Sequence, residues 1–203
     1  MLLVGIAAVA ALLMSNRGGG PAPEAEVITL PPRTPTVAPV DREPGTDFFE
    51  ALPSTSVAFA LSATADAPDL VLAGALEAYT LEYTDGEQQV VVVAGQWPSE
   101  DDATAAYQAM ADAAAATAAA PAPPDGEDAD GAGADGEQDG DESPAPQPLE
   151  EGAVQVCGTE VGRYTIALHA DGTATMVWRN GTVVLRADGP AAAVRELYTG
   201  YAL

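Results

Sequence analysis

The chain has 203 residues, among them 31 acids, seven arginines and no lysine, which gives a formal net charge of −24. This charge excludes ordinary nucleic-acid binding, because such binding needs cations that replace the counterions of the phosphates. One cysteine, Cys157, excludes an internal disulfide, and with one histidine, His169, it cannot form a metal site. The sequence therefore predicts no catalytic residue, no metal and no cofactor.

The N-terminal segment, residues 1–14, is an uninterrupted apolar run that leads into Gly18-Gly19-Gly20-Pro21. A helix of this length reaches about 21 Å, whereas a bilayer core needs about 30 Å. We interpret the run as the end of a transmembrane helix whose other residues precede Met1. A cleaved signal peptide is the alternative. In either case the following domain is expected outside the cytoplasm, and the first case places it at the cell membrane on a single span.

Two low-complexity tracts flank the first ordered segment. Residues 15–45 contain seven prolines, which is typical of a semi-extended, disordered stalk. Residues 121–152 carry eleven acids and no base, and like-charge repulsion predicts a disordered acidic insertion. The remaining sequence predicts a single domain over residues 46–203, interrupted by this insertion.

The first ordered segment predicts a β-hairpin followed by a helix. Residues 76–84 alternate in polarity and residues 88–95 return, with the turn Asp85-Gly86 between them. Ser99 is a good helix N-cap, and Pro121 ends the helix.

The second ordered segment repeats this order. Residues 173–187 predict two strands around the turn Asn180-Gly181, which sets Trp178 opposite Val183. A helix follows at Pro190, because proline is favoured in the first turn.

Residues 153–158 and 161–168 predict two further strands. The shared order of strand, turn, strand and helix indicates a ββα pseudo-repeat. Because the second half is too small to be stable alone, we expect both halves in one sheet. The predicted fold class is α+β: an antiparallel sheet of about five to six strands with two helices on one face.

The face opposite this predicted core is expected to be free of helices and to carry three of the seven arginines. Guanidinium groups match carboxylate and phosphate geometry, so the face suits an anionic ligand or a protein partner. The alternative is that the arginines pair with acids of the first hairpin, such as Glu82 or Glu87. The predicted binding residues are Arg163, Arg179, Arg186, Thr165 and Thr175.

The chain closes with Trp178-Arg179-Asn180-Gly181 and a predicted short helix over residues 191–201. With the apolar N-terminus and the alanine-rich, lysine-free composition, this arrangement resembles uncharacterised single-pass membrane proteins of high-GC actinobacteria. The likeness covers about the last fifty residues and the N-terminal layout. It implies an outer domain on one membrane helix, and it implies no activity and no site residue.

These features predict a membrane-tethered, extracytoplasmic binding or interaction module. One alternative is a carboxylate-dependent cell-surface hydrolase, which would need two carboxyl groups about 5 to 9.5 Å apart. The other alternative is a structural spacer in a membrane complex.

Overall fold

The computed structural model describes residues 33–119, 149–156 and 158–201 of the compact unit Arg33–Leu203. The predicted membrane segment, residues 15–32 of the predicted stalk, most of the predicted acidic insertion and Cys157 lie outside these ranges. No helix within them is long and apolar enough to cross a membrane.

Eight strands and four helices form in the described ranges. In chain order they are α1 (Asp47–Ala51), β1 (Thr55–Ser56), β2 (Phe59–Asp66), α2 (Pro68–Leu72), β3 (Glu77–Thr84), β4 (Gln89–Gln96), α3 (Glu100–Ala118), β5 (Leu149–Val156), β6 (Thr159–Leu168), β7 (Thr173–Asn180), β8 (Val183–Pro190) and α4 (Ala191–Thr199).

The strands form one antiparallel sheet in the order β1-β2-β3-β4-β8-β7-β6-β5. The α+β class is confirmed, but the predicted five to six strands are too few. The missed strands are β1, which has only two residues, and β2. Small residues blur the polarity alternation of β2, and a bulge between Leu61 and Ala63 shifts its register against β3.

Both faces of the sheet are apolar. The front face carries Met176 and Trp178, and the back face carries Val177, because successive strand residues point to opposite sides. α4 packs on the front face through Leu197, beside α1. α3 packs on the back face through Tyr107, beside α2.

The prediction of two helices on one face is therefore wrong. The back face of the sheet is also apolar: Val177 and Val184 lie on it and are fully buried. A helix must therefore pack on this face as well as on the front face. α3 covers this face with its small residues Ala103 and Ala114.

The predicted ββα pseudo-repeat is wrong as well. β4 and β8 are antiparallel neighbours, so only a two-fold axis normal to the sheet could exchange the two halves. That rotation does not exchange the two faces of the sheet, so a true repeat would place α3 and α4 on the same face. α3 and α4 lie on opposite faces.

Residues 33–45 form a strap against the domain. The Val40 amide donates to the Leu61 carbonyl at 2.9 Å. The Arg42 guanidinium donates to the carbonyls of Phe49 and Leu52. Arg33 forms a salt bridge of 2.9 Å with Glu196 on α4. This part of the predicted stalk thus makes specific contacts with the folded domain.

The front core contains a hydrogen-bonded tyrosine pair. The Tyr83 hydroxyl donates to the Pro53 carbonyl at 2.6 Å and lies 3.1 Å from the Tyr201 hydroxyl. Since the one Tyr83 proton goes to Pro53, Tyr201 donates to Tyr83. Burial raises the pKa of Tyr83 to about 12 and raises the pKa of Tyr201 well above its ordinary value. The folded state thus favours the protonated form of both hydroxyls.

We expect the free energy of unfolding to fall as the pH rises from about 10, the ordinary tyrosine pKa, towards 12. A raised folded-state pKa means that the unfolded state loses its proton first, so the contribution is complete only below pH 10. For Tyr83 it amounts to roughly 3 kcal/mol. Calorimetry from pH 9 to 12 should show a shallower decline of Tm for Tyr83→Phe than for the wild type. At pH 8 the variant should be about 1–3 kcal/mol less stable, because Pro53 loses its donor. Parallel pH curves would contradict this account.

Candidate functional site

A groove of about 540 Å³ runs between α2 and α3 on the back face. One wall contains Leu70 and Ala73 near α2, and the other contains Ala105, Ala109 and Met110 of α3. Its lining is mostly apolar. The lining also includes Trp97, Pro98, Asp102 and Arg186.

The α3 wall is shallow because its outward residues are alanines. The Ser99 hydroxyl caps the helix by accepting the Asp102 amide, and the high helix propensity of alanine sustains it for 19 residues. Ala105, Ala109 and Ala113 recur at every fourth position and are exposed. Their methyl groups leave the space that longer side chains would fill.

Trp97 joins the groove to the sheet. Its side chain is only 2% exposed although it lines the groove. A Cβ atom at Gly95 would lie 2.8 Å from two of its ring carbons and 3.3 Å from Leu70 Cδ1. The glycine therefore lets the indole lie close against the backbone of β4.

We expect Gly95→Ala to displace the Trp97 ring and to destabilise the protein by about 1–3 kcal/mol through overpacking. The same substitution in a Trp97→Ala background should cost less, because the ring that it strikes is gone. A double-mutant cycle by urea denaturation measures the difference. Additive costs would show that the two residues do not interact.

Arg186 is the cation of the groove lining, and a chain of polar contacts leads away from it. Its Nε donates to Asp188 Oδ2 at 2.8 Å, and Thr175 donates to Asp188 Oδ1 at 2.7 Å. His169 Nε2 lies 3.0 Å from Thr175 Oγ1. Because Thr175 gives its one proton to Asp188, His169 Nε2 is the donor in this contact. This series of polar contacts links Arg186 in the groove lining to the sole histidine of the sequence.

The five predicted binding residues do not form one open surface. Thr165 and Thr175 are buried, and the Tyr107 hydroxyl of α3 lies 2.7 Å from Thr165 Oγ1. The prediction that this face is free of helices is therefore wrong, because α3 packs on it. Arg163 and Arg179 face each other across β6 and β7, outside the groove lining. Anion binding by this pair stays a prediction.

The alternative pairing with Glu82 or Glu87 is not formed in the part of the chain that the structure describes. Arg186 pairs with Asp188, and Arg179 donates to the Gly181 carbonyl at 2.9 Å. The Glu82 carboxylate accepts from Gln89 Nε2.

Three exposed aliphatic side chains lie at and just after α2. Val71 is 46% exposed, Leu72 is 86% exposed and Leu76 is 63% exposed. Single exposed apolar residues are ordinary, but these three lie within six residues of the chain. They add exposed apolar area at and after α2, which also contributes to one wall of the groove.

Sequence reasoning missed the groove, although one signal for it was present. α3 has a buried stripe that includes Ala103, Tyr107 and Ala114, and a second apolar stripe of exposed alanines. A helix that is apolar on two sides has more apolar surface than one sheet contact can cover.

No three histidine, cysteine, aspartate or glutamate side chains among the described residues lie close enough to hold a metal ion. No protein-family model, curated protein or solved structure matches the chain.

Proposed function

We propose that this chain is a membrane-tethered, extracytoplasmic binding module that holds an apolar ligand in the groove between α2 and α3. The observation that carries the proposal is the groove itself, with its volume of about 540 Å³ and its mostly apolar lining. Small-molecule sites in proteins have volumes of about 300–1,000 Å³ and similar linings. Burial of apolar ligand surface supplies the driving force, at about 25 cal/mol per Å².

The groove supports binding better than hydrolysis. Its lining contains one carboxylate, Asp102, which accepts a hydrogen bond of 2.6 Å from the Ser99 hydroxyl at the start of α3. Hydrolysis by two carboxylates needs a second acid across the cleft, and the other charged residue of this lining is Arg186.

A substitution that fills the groove tests the proposal. Nile red, an uncharged apolar dye, should bind the full-length chain with increased fluorescence. Ala109→Phe should weaken this binding by about tenfold or more, because its ring occupies the space between the helices. Ala116→Phe is the matched control, since Ala116 is exposed on the same helix but outside the groove lining. Equal affinities of the two variants would contradict the proposal.

The tether belongs to the same proposal, and its support is the apolar sequence of residues 1–14. We expect the native gene product in the membrane fraction of its host cells, with its domain open to externally added protease. Deletion of residues 2–14 should abolish membrane retention, because the apolar anchor is lost. Mass spectrometry of the mature N-terminus checks the alternative: a chain that lacks these residues was processed as a signal peptide.

A further inference from the structure

We propose that the groove ligand carries a single carboxylate and that Arg186 recognises it. This inference rests on the proposed function, because it assigns the chemical class of the ligand bound there. The ligand class is a carboxylate amphiphile, an apolar chain with one terminal carboxyl group.

Charge complementarity assigns the anionic end of the ligand to Arg186. Two charged residues line the groove, Asp102 and Arg186. Asp102 would repel an anion, and its carboxylate already accepts the Ser99 hydroxyl. Arg186 attracts an anion, and its side chain is 46% exposed. An amphiphile in this groove therefore has one favourable partner for a negative group.

The geometry of Arg186 leaves its recognition edge unused. Only its Nε donates to Asp188, and its two Nη atoms make no hydrogen bond or ion pair within the described residues. These terminal nitrogens carry four N–H donors in a plane, which match the two oxygens of a carboxylate. Arg186 can thus donate to Asp188 through Nε and donate to a ligand carboxylate through its two Nη atoms.

A buried polar support holds this arrangement. Asp188 would be free to rotate if Arg186 were its only partner, but its second oxygen accepts the Thr175 hydroxyl. Thr175 is only 9% exposed and is itself hydrogen-bonded to His169. Support of this kind orients a recognition group before the ligand arrives, which lowers the entropic cost of binding.

A monoanion suits this site better than a dianion. Asp188 already offsets the charge of Arg186, and the whole chain carries a net charge of −24. A phosphate monoester brings close to two negative charges, whereas a carboxylate brings one. The negative electrostatic potential of the whole protein therefore favours the head group with the smaller negative charge.

The experiment compares octanoate with 1-octanol, which have chains of the same length and differ in the head group. Each competes with Nile red for the full-length chain at pH 8 and fixed ionic strength. We expect octanoate to bind about tenfold more tightly, the size of effect for a charge-assisted pair at a half-exposed site. Arg186→Gln should lower the octanoate affinity to that of octanol, because the glutamine has no charge to pair with the carboxylate, and the binding of Nile red by the same variant shows whether the groove is intact. Arg33→Gln is the control, because Arg33 is an exposed, ion-paired arginine outside the groove lining.

The outcomes separate the two proposals. Equal affinities of octanoate and octanol for the wild type overturn the carboxylate assignment and leave the apolar groove standing. An octanoate preference that survives Arg186→Gln, or that Arg33→Gln also removes, overturns the role of Arg186. Binding of neither probe overturns both proposals.

Discussion

The antiparallel pairing of β4 with β8 joins the two halves of the domain through six residue pairs, from Val91 opposite Asp188 to Gln96 opposite Val183. This register sets Leu185 into the front core and Arg186 towards the groove. A slip of one residue would invert every side chain of β8, because side chains alternate with a period of two. It would carry the Arg186 guanidinium and the Asp188 carboxylate together from the back face into the front core, at a cost of several kcal/mol for each buried charge. Both cores and the groove depend on this one junction.

The alternation of polar and apolar residues correctly predicted the face of the sheet to which the hairpin side chains point. It did not predict which residues of the two strands are paired. Trp178 was predicted opposite Val183 and lies opposite Leu185. The two registers differ by two residues, so Trp178 points to the front core in both. The turn explains the difference: Asn180 stays paired in the strand, and Gly181, with φ of 56°, takes the left-handed position. A glycine at the first central position is typical of a type II′ turn, whereas the prediction placed Asn180 at that position and Gly181 at the second.

The side of the sheet on which a helix packs depends on contacts between distant residues. Ser99 correctly predicted where α3 begins, since capping is local chemistry. The face that α3 covers follows instead from Val177 and Val184, which lie 59 and 66 residues beyond the end of α3. α2 has only five residues, too few to show a helical period. The groove lies between these two helices, so it could not be predicted before their placement was known.

Arg186 differs from the other arginines of the sheet in the charges around it. Arg163 and Arg179 are directly opposite each other, and like charges at such positions repel. Arg186 lies opposite Val177 and has Asp188 beside it. The polarity pattern groups three arginines that have different environments. Asp188, two residues further along the same strand, pairs with Arg186, and neither Arg163 nor Arg179 forms a salt bridge within the described residues.

The strap of residues 33–45 determines how a pulling force would enter the domain from its N-terminal side. Arg33 is held by its salt bridge to Glu196 on α4, and the Val40 amide is held by the Leu61 carbonyl of β2. Tension applied to the chain at Arg33 would therefore load the Arg33–Glu196 bridge first and the Val40 hydrogen bond second. The hydrogen bonds between the strands would carry the load only after these two contacts had broken, so the strap would act as a mechanical clamp on the folded domain.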